Sequence, residues 1–290
     1  MIELSVLLDR IDALPPLPAT SVRLINVIGD PSASVTDIVE VIKYDQALTS
    51  EVLRLCNSAY FGLSRQIASL NDAMVCLGTL KLLQLVMSVH ANAMLTLPQE
   101  GYGLEAGMLW RQSVATALAA ADFAKRVRYQ NVNLAFTAGL LHDIGKIVLS
   151  RHVAEEFTAI LAQVNEKKCT FVEAEREVLG FDHTQVGGLV AERWKLPEAI
   201  VRCIKYQYEP QRLNPPDALV DVVYLGNCVC LMMGIALGTD GLTYRADDAV
   251  AARYKLAEPD LEAVGMSMFS ELERIAYFRD ETPAAQEASL

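Results

Sequence analysis

Several features are missing from this sequence, and each absence narrows the fold and the function. No run of residues alternates polar and apolar side chains between turn signals, so no β-strand is expected. The 290 residues contain no internal repeat and no low-complexity tract. The N-terminus has no basic stretch ahead of an apolar run, so a secretory leader is not expected. The hydrophobic fraction of 52% is too high for a disordered chain and sufficient for a large core.

Positive charge is also scarce. The chain has 25 Lys and Arg residues against 36 Asp and Glu residues, which gives a formal net charge of -11. Nucleic acids and anionic lipids both require a basic face on the protein, so neither partner is expected. The six cysteines form no CxxC pair and mostly lie among apolar residues. Reduced, buried cysteines in a cytoplasmic protein are therefore expected.

The segment 222–239 requires a test as a membrane span, because it carries no formal charge and approaches the lower length limit for a span. It contains Asn227 and three glycines, and aspartates flank it at Asp221 and Asp240. Membrane spans are more often anchored by basic residues. The segment is therefore predicted to be a buried central helix.

Helical periodicity interrupted by proline and glycine predicts an all-α fold in two lobes. The N-terminal lobe is predicted over 1–100 and the second lobe over 104–240. Residues 241–290 are predicted to form further helices that pack on the second lobe, with about ten frayed residues at the end. Individual helices are predicted at 1–14, 80–97, 105–127, 133–150, 171–179, 183–194 and 218–238. A proline-rich break is predicted at 14–18 and a capping box at 34–37.

The most unusual stretch runs from Asn133 to Ser150, where His142 and Asp143 stand side by side within an apolar segment. The apolar residues recur at steps of three and four, which predicts one stripe of a single helix. Burying a carboxylate and an imidazole beside that stripe is unfavourable unless both have partners. The side chains of adjacent helical residues point ~100° apart. His142 and Asp143 can therefore bind one ion only if that ion lies between the directions of the two side chains.

Together with other motifs, this stretch resembles the HDOD family, bacterial signalling relatives of the HD superfamily of metal-dependent phosphohydrolases. The motifs are LPPLP at 14–18, NSAYFG at 57–62, LWR at 109–111, GLLHDIGK at 139–146 and GFDHTQVGGLVAERWKLPEAI at 180–200. The resemblance covers roughly residues 12–235. The sequence departs from the family at Gln46, where the family usually has proline. It implies an HD-like helical bundle with an additional N-terminal helical lobe.

The resemblance also implies a metal site. In the HD superfamily a histidine, the His-Asp pair and a later aspartate hold one or two ions, which polarise a phosphate and activate a bound water. Here the pair is intact as His142 and Asp143. The position of the first histidine is Gln112, and that of the last aspartate is Asn227. His183 stands where related phosphodiesterases have a further histidine.

The missing ligands weaken the case for hydrolysis. Amide side chains are poor ligands for a divalent transition ion. A His-His pair of the related phosphodiesterases is also absent. The metal candidates His142, Asp143 and His183 are therefore weak or vestigial, able at most to hold a single iron, manganese or zinc ion, and no cofactor is expected. No catalytic residue is assigned. The other residues predicted to form a polar pocket are Gln112, Lys146, Gln207, Tyr208 and Asn227.

Two functions remain open from the sequence. The favoured one is a signal-transduction module that binds a partner protein or a small ligand, because half of the expected ligands are replaced and no output module is visible. The alternative is a metal-dependent phosphohydrolase or nucleotide phosphodiesterase with a substituted site.

Overall fold

The computed structural model describes residues 19–30, 32, 34–43, 45–57, 67–78, 82, 84, 95–152, 156–241 and 246–280. These residues form helices and connecting turns, with one isolated backbone bridge between Gln99 and Leu104 and no strand. The all-α prediction is confirmed. The helix predicted at 1–14, the proline-rich break, most of the NSAYFG motif, most of the helix predicted at 80–97 and the last ten residues lie outside the described residues.

The described helices fall into an N-terminal group and a larger second group. The N-terminal group is α1 Ala19–Gly29, α2 Val35–Ile42, α3 Gln46–Cys56 and α4 Leu70–Leu77. A 3-10 turn at Glu100–Tyr102 precedes α5 Met108–Arg126, α6 Val132–Leu141, α7 Ile144–His152, α8 Glu156–Lys167, α9 Phe171–Leu179, α10 His183–Arg193 and α11 Glu198–Tyr206. A second 3-10 turn at Pro210–Arg212 leads to α12 Ala218–Met232, α13 Asp248–Arg253 and α14 Glu258–Asp280.

Helix α5 is the centre of the second group. It packs most extensively against α12 and α6, and α14 also lies along it. Six alanines between Ala115 and Ala124 are buried on this helix. Their small side chains let the neighbouring helices approach closely, and alanine also has the highest helix propensity.

The apolar segment that was predicted to be a buried central helix forms α12. Every residue of α12 from Leu219 to Cys230 is buried. The helix ends at Met232, earlier than predicted, because Met233 caps it and Gly234 then turns the chain with a φ of +72°. Among the described residues, the stretch Val132–Ser150 is long and apolar enough to cross a membrane, and 89% of it is buried inside the protein.

The prediction of a single helix from Asn133 to Ser150 is wrong at one point. The structure has two helices, α6 and α7, separated by a turn at His142 and Asp143. The backbone N–H of Lys146 donates to the carbonyl of Asp143 at 3.0 Å, a three-residue step that is tighter than the four-residue step of an α-helix. The angle expected between adjacent residues of one helix therefore does not describe this pair.

The N-terminal helices contact the second group through α1. The side-chain amide of Asn131 donates to the carbonyl of Ile28 at 2.9 Å, and Gly29 lies against the ring of Pro197. The predicted capping box of α2 is present and is formed by Ser34 and Asp37. The lobe boundaries at 1–100, 104–240 and 241–290 stay predictions.

A close crossing of α7 and α10 yields the first testable prediction. A Cβ atom at Gly145 would lie 1.8 Å from the carbonyl oxygen of His183 and 2.7 Å from the amide nitrogen of Gly187. Gly145→Ala must push the two backbones apart, so we expect the free energy of unfolding to fall by about 3 kcal/mol or more. Urea unfolding followed by circular dichroism measures this loss.

The control is Gly265→Ala in α14. A Cβ atom there would approach only side-chain atoms of Met233 and Val229, at 3.3 Å. Alanine also favours a helix over glycine by about 1 kcal/mol, so this variant should unfold within about 1 kcal/mol of the wild type. Equal losses in the two variants would contradict a backbone crossing at Gly145.

Candidate functional site

Four polar side chains meet where the turn between α6 and α7 faces the start of α10. His142 and Asp143 form the turn, Lys146 lies in the first turn of α7, and His183 is the first residue of α10. Their exposed fractions are 0–1%. Charged and polar groups at this depth are unstable unless they satisfy one another, so their contacts define the site.

The Asp143 carboxylate is the centre of these contacts. Lys146 Nζ lies 2.5 Å from its Oδ2. The amide of Gln207 donates to its Oδ1 at 3.2 Å and to the carbonyl of His142 at 2.7 Å. Two imidazole nitrogens approach more loosely, His142 Nε2 at 3.3 Å from Oδ2 and His183 Nε2 at 3.7 Å from Oδ1. The structure therefore brings together five of the residues singled out from the sequence.

Each histidine is oriented through its Nδ1 atom. Nδ1 of His142 lies 2.7 Å from the carbonyl oxygen of Gly139, and Nδ1 of His183 lies 2.7 Å from Oε2 of Glu175. Glu175 also accepts the backbone N–H of His183 at 3.1 Å. With Nδ1 donating in both rings, each Nε2 presents a lone pair whenever its imidazole is neutral. Neither Nε2 atom has a hydrogen-bond partner within the described part of the chain.

Three residues that the sequence analysis missed complete the cluster. The hydroxyl of Tyr102 donates to Oε1 of Glu175 at 2.5 Å. Asp240 places its Oδ2 atom 2.7 Å from Lys146 Nζ, so a single ammonium joins two carboxylates. The same Nζ atom lies 5.6 Å from the centre of the Tyr102 ring. We call Asp143 and the seven side chains around it the polar cluster: Tyr102, His142, Asp143, Lys146, Glu175, His183, Gln207 and Asp240.

The pKa shifts of the charged pair follow from this arrangement. Burial by itself would raise the pKa of Asp143, but His142, Lys146 and His183 outweigh burial and hold it below its ordinary value. Burial likewise opposes charge on Lys146, yet Asp143 and Asp240 hold the pKa of the ammonium well above its ordinary value. Both groups are therefore ionised at neutral pH.

The two histidines shift in opposite directions. Burial lowers the pKa of His142, and the attraction of Asp143 does not compensate, so this imidazole is neutral at neutral pH. Burial also opposes charge on His183, but the carboxylate of Glu175 outweighs it and raises the pKa above the ordinary value.

Gln112 and Asn227 are not in hydrogen-bond contact with the polar cluster. They are buried on α5 and α12, the two helices that pack most extensively. Oε1 of Gln112 and both polar atoms of the Asn227 side chain have no hydrogen-bond partner among the residues described. The two amides are thus buried on helices that pack on each other and are not brought to the polar cluster.

A cavity of about 200 Å³ lies beside the polar cluster, and Tyr208 and Asp240 both line it. The ring of Tyr208 packs edge-on against His183, with 5.4 Å between the ring centres. Arg176 lines the cavity as well, and its guanidinium lies 2.7 Å from the carboxylate of Glu209. Because Asp240 also contacts Lys146, one side chain connects this cavity to the buried ion pair.

The divalent ions implied by the resemblance fit these residues poorly. In favour, both histidines have Nδ1 held by an acceptor and Nε2 turned towards Asp143, as ligating histidines do. Against, Lys146 and Gln207 already occupy the Asp143 carboxylate. In the described ranges, no group of three His, Cys, Asp or Glu side chains is placed to hold a metal ion. A two-metal centre does not fit these side chains.

Comparison with known proteins gives the relatives of this chain. The family model of the HDOD domain matches residues 14–210. An uncharacterised protein of Treponema pallidum is 28% identical over 233 residues, a match that covers 76% of this chain and 42% of that protein. The matched part of this chain therefore covers less than half of that relative.

Solved structures share the fold. An HDOD domain protein of unknown function from Geobacter sulfurreducens is 26% identical, with a TM-score of 0.68 and coverage of 96% of this chain and 99% of that chain. A Marinobacter aquaeolei protein, provisionally named as a signal transduction protein, is 24% identical, with a TM-score of 0.72 and coverage of 91% and 60%. A Shewanella amazonensis protein, provisionally named a phosphohydrolase, is 23% identical, with a TM-score of 0.68 and coverage of 95% and 98%. The last two show the fold alone.

The buried ion pair gives a stability prediction. Lys146→Met keeps an unbranched side chain but removes the ammonium, which leaves Asp143 and Asp240 as buried carboxylates without their cation. Removing one partner of a buried pair typically costs about 3–5 kcal/mol, and we expect a loss of that size in urea unfolding at neutral pH. Lys205→Met removes a lysine from an exposed pair with Glu192 and should cost less than about 1 kcal/mol. Similar losses would contradict the role given to Lys146.

The opposite histidine shifts predict opposite pH dependences. The raised pKa of His183 contributes stability that is complete below about pH 6.5 and is lost as the pH rises through the folded-state pKa. The lowered pKa of His142 has the reverse effect, because below about pH 6.5 the unfolded chain takes up a proton before the folded chain does.

Urea unfolding of the wild type, His183→Gln and His142→Gln between about pH 5 and about pH 9 measures both effects. The advantage of the wild type over His183→Gln should shrink as the pH rises. Its advantage over His142→Gln should shrink as the pH falls. Trends of the same sign in both comparisons would show that the two imidazoles do not titrate as assigned.

Proposed function

This chain belongs to the HDOD domain family, and from that premise we propose that it is a regulatory module that acts by binding and not by hydrolysis. In this proposal the HD metal site is degenerate, and the polar cluster is a structural element without a catalytic residue. The module binds a partner protein or a small ligand, and it does so in the cytoplasm. The net charge of -11 argues against nucleic acid or an anionic membrane as that partner.

The contact between Lys146 and Asp143 carries the proposal. A hydrolytic centre needs this carboxylate as a metal ligand, but here its Oδ2 atom lies 2.5 Å from an ammonium. The positive charge that a metal would supply comes from the chain itself. The two positions where the resemblance expects an imidazole and a further carboxylate carry the neutral amides of Gln112 and Asn227, which neither bind nor balance a transition ion well.

The relatives are consistent with regulation. The similar Marinobacter aquaeolei protein, 24% identical, is named for signal transduction. The cavity beside the polar cluster is a place where a small ligand could bind. A ligand that contacts Asp240 in the cavity would also change the contact between Asp240 and Lys146. Binding could in this way change the ion pair that joins the surrounding elements.

One observation favours a second candidate, a phosphohydrolase with a substituted site. Nε2 of His142 and Nε2 of His183 have no hydrogen-bond partner in the described residues, and both approach Asp143. A single ion between them would satisfy both nitrogens. The Shewanella amazonensis protein with the same fold is provisionally named a phosphohydrolase. Metal content and turnover separate the two candidates.

The test compares the wild type with a variant that restores the missing ligand types. Protein purified without chelator should contain well below one transition ion per chain and should hydrolyse no member of a panel of cyclic and linear nucleotides. Gln112→His combined with Asn227→Asp supplies an imidazole and a carboxylate. We expect this double variant to retain more metal, and added Mn²⁺ should raise its thermal midpoint by several degrees while leaving the wild type unchanged.

Adding His142→Ala to the double variant is the control, because it removes a ligand of the restored site and should abolish the gain in metal content. The opposite result for the wild type would sink the proposal. That result is a stoichiometric metal ion together with nucleotide turnover that Asp143→Ala abolishes.

A further inference from the structure

Four large apolar side chains are exposed where α12 ends beside α14. They are Met232, Met233, Met266 and Phe269, with exposed fractions of 73%, 45%, 66% and 44%. Among the described residues only two other large apolar side chains are comparably exposed, Val75 and Leu97, and both lie in other parts of the chain. We call the four residues the methionine patch.

The methionine patch is formed by two adjoining helices. Met233 lies against α14 at Gly265, where a Cβ atom would stand 3.3 Å from its Sδ atom. Phe269 follows Gly265 by one helical turn, and Met266 lies three residues before Phe269, so both are on the part of α14 next to Met233. Met232 precedes Met233 in the last turn of α12. Met233, Phe269 and Met266 therefore border a common surface, and Met232 precedes it in the chain.

The patch is separate from the packing face of α14. Val264, Met268 and Leu272 form the buried stripe of that helix at steps of four. Met266 and Phe269 fall outside this stripe and contribute little to the core. Single exposed apolar residues are ordinary, but a cluster of large ones marks a binding surface.

Charge around the patch indicates the kind of partner. Helix α14 carries six acidic residues and two basic ones over Glu258–Asp280. Glu262 is exposed one turn before Met266, and Glu273, exposed one turn after Phe269, is paired with Arg111 of α5. The patch also includes the C-terminal end of α12, where the helix dipole is negative. This acidic border disfavours a second copy of the same surface and an anionic membrane, and it favours a basic partner.

We infer that the methionine patch is the docking site for an amphipathic helix of a partner protein, with an apolar face towards the patch and lysine or arginine residues along its edges. Methionine side chains adapt to apolar helices of varied sequence. Strand addition has no template here, since the described residues contain no sheet edge. This inference rests on the proposed function in one respect, namely that the module acts by binding.

The probe is a synthetic amphipathic peptide of leucine and lysine, about five helical turns long and labelled with fluorescein. Fluorescence anisotropy measures its affinity for the full chain at low and at physiological salt. We expect binding that weakens with salt, and a peptide of the same composition with its apolar face scrambled should bind about tenfold more weakly. Met266→Ser combined with Phe269→Ser should lower the affinity for the amphipathic peptide about tenfold.

Val75→Ser is the matched control, because it removes a side chain that is 75% exposed at a distance in the sequence from the patch. It should bind the peptide as the wild type does. Glu262→Gln should weaken binding modestly and reduce its salt dependence. Circular dichroism of each variant verifies that the helices are intact, which the exposure of the substituted residues leads us to expect.

Three outcomes would overturn the inference. One is equal binding by the wild type and the Met266→Ser, Phe269→Ser variant, and another is equal binding of the two peptides. The third is that a second copy of the chain or a membrane covers the methionine patch instead. A second copy would be seen as a dimer in sedimentation that the double variant abolishes, and a membrane as binding to phosphatidylglycerol vesicles. None of these results touches metal content or nucleotide turnover, so failure here is distinguishable from failure of the proposed function.

Discussion

The second group of helices depends on two buried ion pairs, which the ammonium of Lys146 makes with the carboxylates of Asp143 and Asp240. Its Nζ atom lies 2.5 Å and 2.7 Å from the two carboxylates; Lys146 and Asp143 are fully buried, and Asp240 is 9% exposed. Ions at such depth lose hydration that only close partners replace. The elements that carry them must therefore hold a fixed geometry.

Those elements are distant in sequence. Asp240 lies in the loop after α12, and the neighbouring Thr239 donates its backbone N–H to the carbonyl of Tyr102 at 2.8 Å. Tyr102 in turn donates its hydroxyl to Glu175, which fixes His183 at the start of α10. The chain of contacts therefore joins the first 3-10 turn, α9, α10, α7 and the loop after α12. A change at any one member reaches the others through hydrogen bonds and charge.

The helices were largely predictable from the sequence because their signals are local. Capping residues, prolines and apolar spacing predicted α9 at Phe171–Leu179 and the capping box of α2 at Ser34, and the structure has both. The turn at His142 and Asp143 was not predicted, since the apolar spacing continues through it. At this turn the backbone N–H of Lys146 donates to Asp143, and the carbonyl of His142 accepts the Gln207 amide, a tertiary contact that periodicity does not encode.

The polar cluster was predictable only in part, for the same reason. His142, Asp143 and His183 belong to motifs, whereas Tyr102 and Asp240 reach the site by folding alone. Glu175 carried a local signal that could have identified it. It lies four residues after Phe171 and four before Leu179, both buried, so a carboxylate on the apolar face of α9 required a partner.

Charge balance is largely met within the polar cluster itself. The polar cluster contains the carboxylates of Asp143, Glu175 and Asp240 against one ammonium, and the raised pKa of His183 beside Glu175 brings a second positive charge within reach near neutral pH. A metal centre would supply that balance from outside the chain and would tie stability to metal supply. Lys146 and His183 supply most of it internally, so the helices stay joined without an ion. In the proposed regulatory role, the cluster would connect the cavity to the core, and the methionine patch would recognise a partner helix.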